Sequence, residues 1–190
     1  MPNVQWTTVY FEKPGKENTD ETLRLAKARA DSLGIKSVAI ASSTGWTAAK
    51  AADVFKGYNL VVITHVAGFK QPNEQYFSPE SSAKVLANGG RLVTAAHAFG
   101  TLGRAINRKF NAIQVDEIIA HVLRLFGAGT KVACEVTCMA ADAGYVRTDE
   151  DVIGIGGSGG GADTALVIRP SNTHNFFEMR IREVVCKPRM

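Results

Sequence analysis

Three cysteines in 190 residues, with no Cys-x-x-Cys pair, leave little room for a disulfide framework or a thiolate metal site. Cys134 and Cys138 are four apart on an expected helix and could share a face. No histidine stands at metal spacing from them, so all three thiols read as core packing in a reducing compartment. No apolar run approaches the roughly 20 residues of a membrane-crossing helix. The opening MPNVQWTTVYFEKP lacks the basic-then-apolar order of a signal peptide, and a cytoplasmic location is expected. The net charge of +4 is scattered, without the basic stripe or module that nucleic-acid binding requires. There is no internal repeat and no linker. Glycines are never followed by Lys-Ser/Thr as in a Walker loop.

What is present is an ordinary core-forming composition, 45% apolar and 21% charged, which suits one α/β domain over residues 1–190. The chain reads in order as follows. A β-prone stretch, 4–11, stops at Glu12-Lys13-Pro14-Gly15. Asn18 and Glu21 have capping-box spacing, opening a helix that ends at Gly34. Strand 37–41 leads into a helix from 46 to 55, then the all-apolar strand 59–64. A polar loop precedes a helix opened by Ser78-Pro79-Glu80 and closed near Asn88-Gly89-Gly90. Strand 91–95, an irregular helix 99–110 and an amphipathic helix 113–126 follow. Residues 130–143 have the Val/Thr content of a strand but the Ala133, Val136, Ala140, Ala143 spacing of a helix, and helix is expected. Strand 151–156 runs into a glycine loop, and strands 164–169 and 177–185 close the chain around a polar turn, 170–175. The pattern predicts a doubly wound, three-layer α/β/α sandwich with a mostly parallel sheet and an antiparallel edge.

In such sheets ligands sit beyond the strand carboxyl ends, at the switch point in strand order. All four expected parallel strands end in residues suited to that. The first empties into Ser42, Ser43, Thr44 and Gly45, and Trp46 and Thr47 open the next helix. Unpaired amides and the positive helix end there suit a phosphate or carboxylate, although Ser and Thr also serve as plain caps. The second empties into His65, Gly68 and Phe69, the third into His97 and Phe99. The last empties into Gly157, Ser158, Gly159, Gly160, Gly161 and Asp163, a glycine run that lets backbone approach a ligand or simply turns the chain. Asp163 suits a ribityl, sugar or amide group. Either histidine could donate to a phosphate or exchange a proton near neutral pH, and Trp46, Phe69 and Phe99 could wall a flat ring. His121 and His174 are given no role. A strand follows Ser158, which argues against a hydrolase elbow, and no nucleophile–base–acid set is recognisable.

The segment IASSTGWTAAKAADVF resembles the strand, Ser/Thr-Gly phosphate loop and helix of the C-terminal α/β domain of pyruvate kinase. With YFEKPGKENTDETL, THVAGFK, MAADAG, GIGGSGGGADTA and VVCKPR, the chain is similar over nearly its whole length to a family of free-standing, mainly archaeal proteins of unassigned activity. The resemblance implies a largely parallel sheet flanked by helices and a site for a phosphorylated ligand, with FMN as the candidate cofactor and no metal. It does not imply kinase activity, because the acids that hold that enzyme's metals belong to a separate barrel domain. Trp46 stands where an Arg is common, which suits an aromatic ligand better than a sugar bisphosphate. The competing expectation is a regulatory or oligomerising module without catalysis, pairing with a second copy through an edge strand or through helix 130–143.

Overall fold

A computed structural model of the chain describes residues 5–189. The uniformly apolar runs become central strands because they can be covered on both faces: Val38, Ala39, Ile40, Val61 and Val62 have no exposed surface. The elements are β1 (Val9–Phe11), α1 (Thr19–Leu33), β2 (Ser37–Ala41), α2 (Trp46–Val54), β3 (Asn59–Ile63), α3 (Pro79–Ala87), β4 (Arg91–Val93), α4 (Thr101–Phe110), α5 (Val115–Arg124), α6 (Ala128–Asp142), β5 (Val152–Gly156), β6 (Thr164–Arg169) and β7 (Arg180–Pro188).

They form one seven-stranded sheet in the order β1-β7-β6-β5-β2-β3-β4. β2, β3, β4 and β5 are parallel, and β6 is the one reversed strand, antiparallel to both β5 and β7. The fold is the expected α/β/α sandwich. Val38 and Ile40 face a core shared with Leu23, Ala26, Ala48, Ala52 and Phe55, which places α1, α2 and α3 on that side. Ala39, Val61 and Val152 face Val136, Met139 and Ala140 of α6 on the other side. Burying each of the larger side chains is worth about 1.5–3 kcal/mol, so both faces contribute.

α6 lies directly on the sheet and is in turn covered by α5, through Ala120 and Ile119 against Ala133, Cys134 and Cys138. That double burial is why its sequence is apolar on nearly every side. It also resolves the strand-or-helix ambiguity, since Gly154 and Gly156 of β5 let its backbone come close. A Cβ on Gly156 would overlap the carbonyl of Gly129 and stand 2.8 Å from the Ala133 nitrogen.

Three expectations need correction. Asn18 makes no cap to α1; its amide donates to the Lys13 carbonyl, and Glu21 pairs with Arg24 instead. The first strand is only three residues long, and Val4 lies outside the described residues. The closing turn is longer than expected, with 3₁₀ helix at Thr173–Glu178, so β7 starts at Arg180.

Candidate functional site

Strand order reverses between β2 and β5: the chain runs outward through β2, β3 and β4, then returns to the other side of β2. The crevice at that reversal lies between the loop after β2 and the glycine loop after β5. It is a cleft of about 400 Å³ lined by Ser42, Ser43, Thr44, Trp46, Thr47, Gly157 and Gly159 to Gly161, with Lys16 and Val132 completing the wall. The two loops that the sequence singles out are therefore brought together.

The loop after β2 is built by its own residues. The Ser42 amide donates to the Ile63 carbonyl, and the Ser42 hydroxyl accepts from the Ala48 amide at 3.2 Å, so this buried serine caps α2. Ser43 and Thr44 are exposed. Gly45 turns the chain into the helix with φ +100°, a conformation costly for a side chain. It is buried against α3, where a Cβ would overlap Ser81, and the Ser78 amide donates to the Thr44 carbonyl. Gly45 is therefore a packing position and not an exposed turn. Among the described residues, none accepts a hydrogen bond from the amides of Ser43, Thr44, Gly45, Trp46 or Thr47, or from those of Gly157, Gly159, Gly160 or Gly161.

Asp163 is fully buried, and its carboxylate is spent on the protein. One oxygen accepts from the Gly15 and Ser158 amides, both at 3.1 Å, and the other from the Thr164 hydroxyl. It fixes the shape of the glycine loop, leaving no oxygen for a ribityl or sugar group. Ser158 is held by the same contact and does not line the cleft. Trp46 carries two ammonium groups over its ring, Lys16 Nζ at 4.0 Å and Lys50 Nζ at 5.0 Å. It holds positive charge beside the helix end, although the Lys50 ammonium is itself paired with Asp20.

A second space, about 200 Å³, adjoins the cleft through Ser42, Ser43 and Val132 and runs past Thr64, His65 and His97. The two imidazoles are 4.8 Å apart, centroid to centroid, and His65 Nδ1 and His97 Nε2 are buried without a hydrogen-bond partner. Burial holds both histidines below their ordinary pKa, so both are neutral near pH 7. A third space of similar size shares His97 with the second and extends to Gly68, Phe69, Phe99, Arg104 and Arg108. There the Phe69 ring meets His65 at 4.0 Å and the Arg104 guanidinium at 5.3 Å.

Lys131 and Glu135 of α6 stand between the second and third spaces and line both. They form a buried ion pair, and Glu135 also accepts from the Phe99 amide at 2.9 Å. Desolvation lowers the Lys131 pKa against the opposing pull of Glu135. Sequence reasoning passed over this pair. Its signal was legible, since Lys131 and Glu135 are one helical turn apart in a segment otherwise rich in small and apolar residues. Lys16 was missed because it comes from the irregular segment after β1. His121 and His174 line none of these three spaces.

The three spaces share wall residues in turn and line up as a trough along the strand carboxyl ends, with amides and Lys16 at one end, neutral imidazoles and a buried ion pair in the middle, and aromatic and guanidinium groups at the other. Among the described residues no cluster of three or more His, Cys, Asp or Glu has the arrangement of a metal site, and no helix is long and apolar enough to cross a membrane. No protein-family model matches the chain.

Proposed function

We propose that this protein binds a phosphorylated small molecule along the trough, with FMN the leading candidate. The carrying observation is the pair of facing loops at the switch point. Each presents backbone N–H groups that no protein acceptor takes, and one of them opens α2. A dianionic phosphate supplies the missing acceptors, and Lys16, in the cleft wall beside Trp46, adds charge of the right sign, whereas Lys50 is paired with Asp20. The resemblance of the Ser42-Ser43-Thr44-Gly45 loop to the phosphate loop of the pyruvate kinase C-terminal domain supports the same reading. Kinase activity is not part of the proposal.

The residues fit FMN in kind. Ser43, Thr44 and the glycine loop would take its phosphate. The Phe69 and Phe99 walls would take a flat ring, and His97 and Lys131, the latter paired with Glu135, would be the donors lining the same space. Bound FMN would supply hydride and single-electron chemistry. The chain itself contributes neutral imidazoles able to accept or release a proton.

The test is a thermal melt with FMN, riboflavin or inorganic phosphate. A ligand present at a hundred times its Kd adds about 2.7 kcal/mol of stability. FMN should stabilise strongly and riboflavin far less, the difference measuring the phosphate. Gly160→Ala is the informative variant. Its methyl meets no atom within 4 Å, so folding tolerates it, but it stands in the cleft wall. Equal shifts from FMN and riboflavin would refute the phosphate site, and protein unmoved by every phosphorylated compound tried would refute the binding function.

A further inference from the structure

A run of exposed apolar side chains lies along α4 and α5, centred on the outer face of α5. Eight of the large hydrophobic side chains left exposed among the described residues fall between Leu102 and Phe126. Four of them, Val115, Ile118, Val122 and Leu125, are 71%, 48%, 53% and 81% exposed and recur at intervals of three, four and three. That is the 3.5-residue period of a helix–helix seam. The opposite face of α5 is already satisfied, because Ala120 is buried and Ile119 and Leu123 pack on α6. The exposed stripe is therefore surplus to the fold. It carries no charge along its length, which is unusual for a solvated helix face.

We infer that this face binds a second copy of the same chain, α5 against α5 in antiparallel orientation across a two-fold axis. Two features point to a copy as the occupant. The 3-4-3 spacing reads the same in both directions, so a two-fold axis near Ala120 sets Val115 against Leu125 of the other protomer and Ile118 against Val122. A stripe with that symmetry is complementary to itself, as a closed two-fold contact demands. The area is of the right order: side chains of this size, half to four-fifths exposed, present roughly 100 Å² each, so the four of the stripe, together with Leu102, Phe110, Ile113 and Phe126 if these close on the partner too, offer on the order of 800 Å². That is the share each partner contributes to a standard stable interface, and it exceeds an incidental surface patch. Antiparallel helices also set opposite dipole ends side by side.

Sedimentation equilibrium on the intact chain tests this. The parent protein should sediment at twice the chain mass at micromolar concentration, and its melting temperature should rise with concentration. Val122→Asp places a carboxylate in the seam and should give a monomer with unchanged far-UV circular dichroism, since Val122 supports no internal packing. The register is tested separately by cysteine cross-linking, which the native thiols do not disturb because all three are buried. Ile118→Cys protein mixed with Val122→Cys protein should oxidise to the mixed disulfide faster than either oxidises alone. A parent that stays monomeric at 100 μM, or a Val122→Asp variant that stays dimeric, would overturn the interface. Faster self-linking by Ile118→Cys would overturn the antiparallel arrangement.

Discussion

Lys131 and Glu135 sit where a charge is costly, with side-chain exposures of 9% and 5%. Neither tolerates the loss of the other. Glu135→Ala strands an ammonium in the core and releases the Phe99 amide, and should cost roughly 3–5 kcal/mol in urea unfolding. Replacing both, as Lys131→Met with Glu135→Leu, should cost much less than the sum of the two single changes. Any ligand seated in the middle of the trough would lose its charged contact all the same. The histidines make a second residue-level prediction, on pH. Their folded pKa values lie below the ordinary 6.5, mainly through burial, with Lys131 and Arg104 opposing protonation and Glu135 favouring it. The folded state therefore binds fewer protons than the unfolded chain. Stability is complete above pH 6.5 and falls as the solution is acidified through the lowered values. His97→Gln should flatten that slope in melts taken between pH 7 and 5. If the variant keeps the parent's acid slope, the histidine is not its source.

At the level of single elements, the strands were plain in the sequence because runs such as Leu60-Val61-Val62-Ile63 are apolar on both faces and so announce a covered sheet. The loops at their ends were legible for the same reason, as hydroxyls and glycines following a buried run. What was not legible was which polar residue faces the cleft and which faces the protein. Asp163 looks like a ligand-binding residue by type, but its carboxylate is consumed in pinning the glycine loop, whereas Ser42 lines the cleft while its oxygen accepts from an α2 amide. Only packing decides that. The glycines make the same point. Gly45 and Gly156 are fixed by contacts with α3 and with α6, whereas Gly160 faces open space. Gly156→Ala should destabilise by about 1–3 kcal/mol or more, as overpacking does, and Gly45→Ala should add backbone strain to its clash with Ser81. Gly160→Ala should melt within a degree or two of the parent. Should Gly156→Ala prove as benign as Gly160→Ala, the close approach of α6 to β5 is wrong. Nor does α6 offer a surface to a second copy, as its sequence suggested, because it is covered by the sheet and by α5.

The three cysteines report on the molecule as a whole. Burial pushes all three thiols up to about 12. Folded protein should therefore react slowly with a thiol reagent such as dithiobis(nitrobenzoate), releasing three equivalents only on unfolding. The same displacement predicts an alkaline limit: stability intact below pH 9, lost progressively as pH climbs toward 12 and the unfolded chain ionises first. One further property follows from how the sheet is closed. β1 is three residues long and pairs only with β7, Val9 beside Cys186, so its place in the sheet requires closing a loop of most of the chain, at an entropic cost of about 4–5 kcal/mol. Such a strand docks last and departs first. The segment that follows it supplies Lys16 to the wall of the cleft and is tied down through Gly15 and Thr19. In hydrogen exchange the amides of β1 should lose protection well before those of β2 and β3. Because Gly15 and Thr19 hold the Lys16 segment independently of that pairing, the wall of the cleft would stay in place each time this outermost strand lets go.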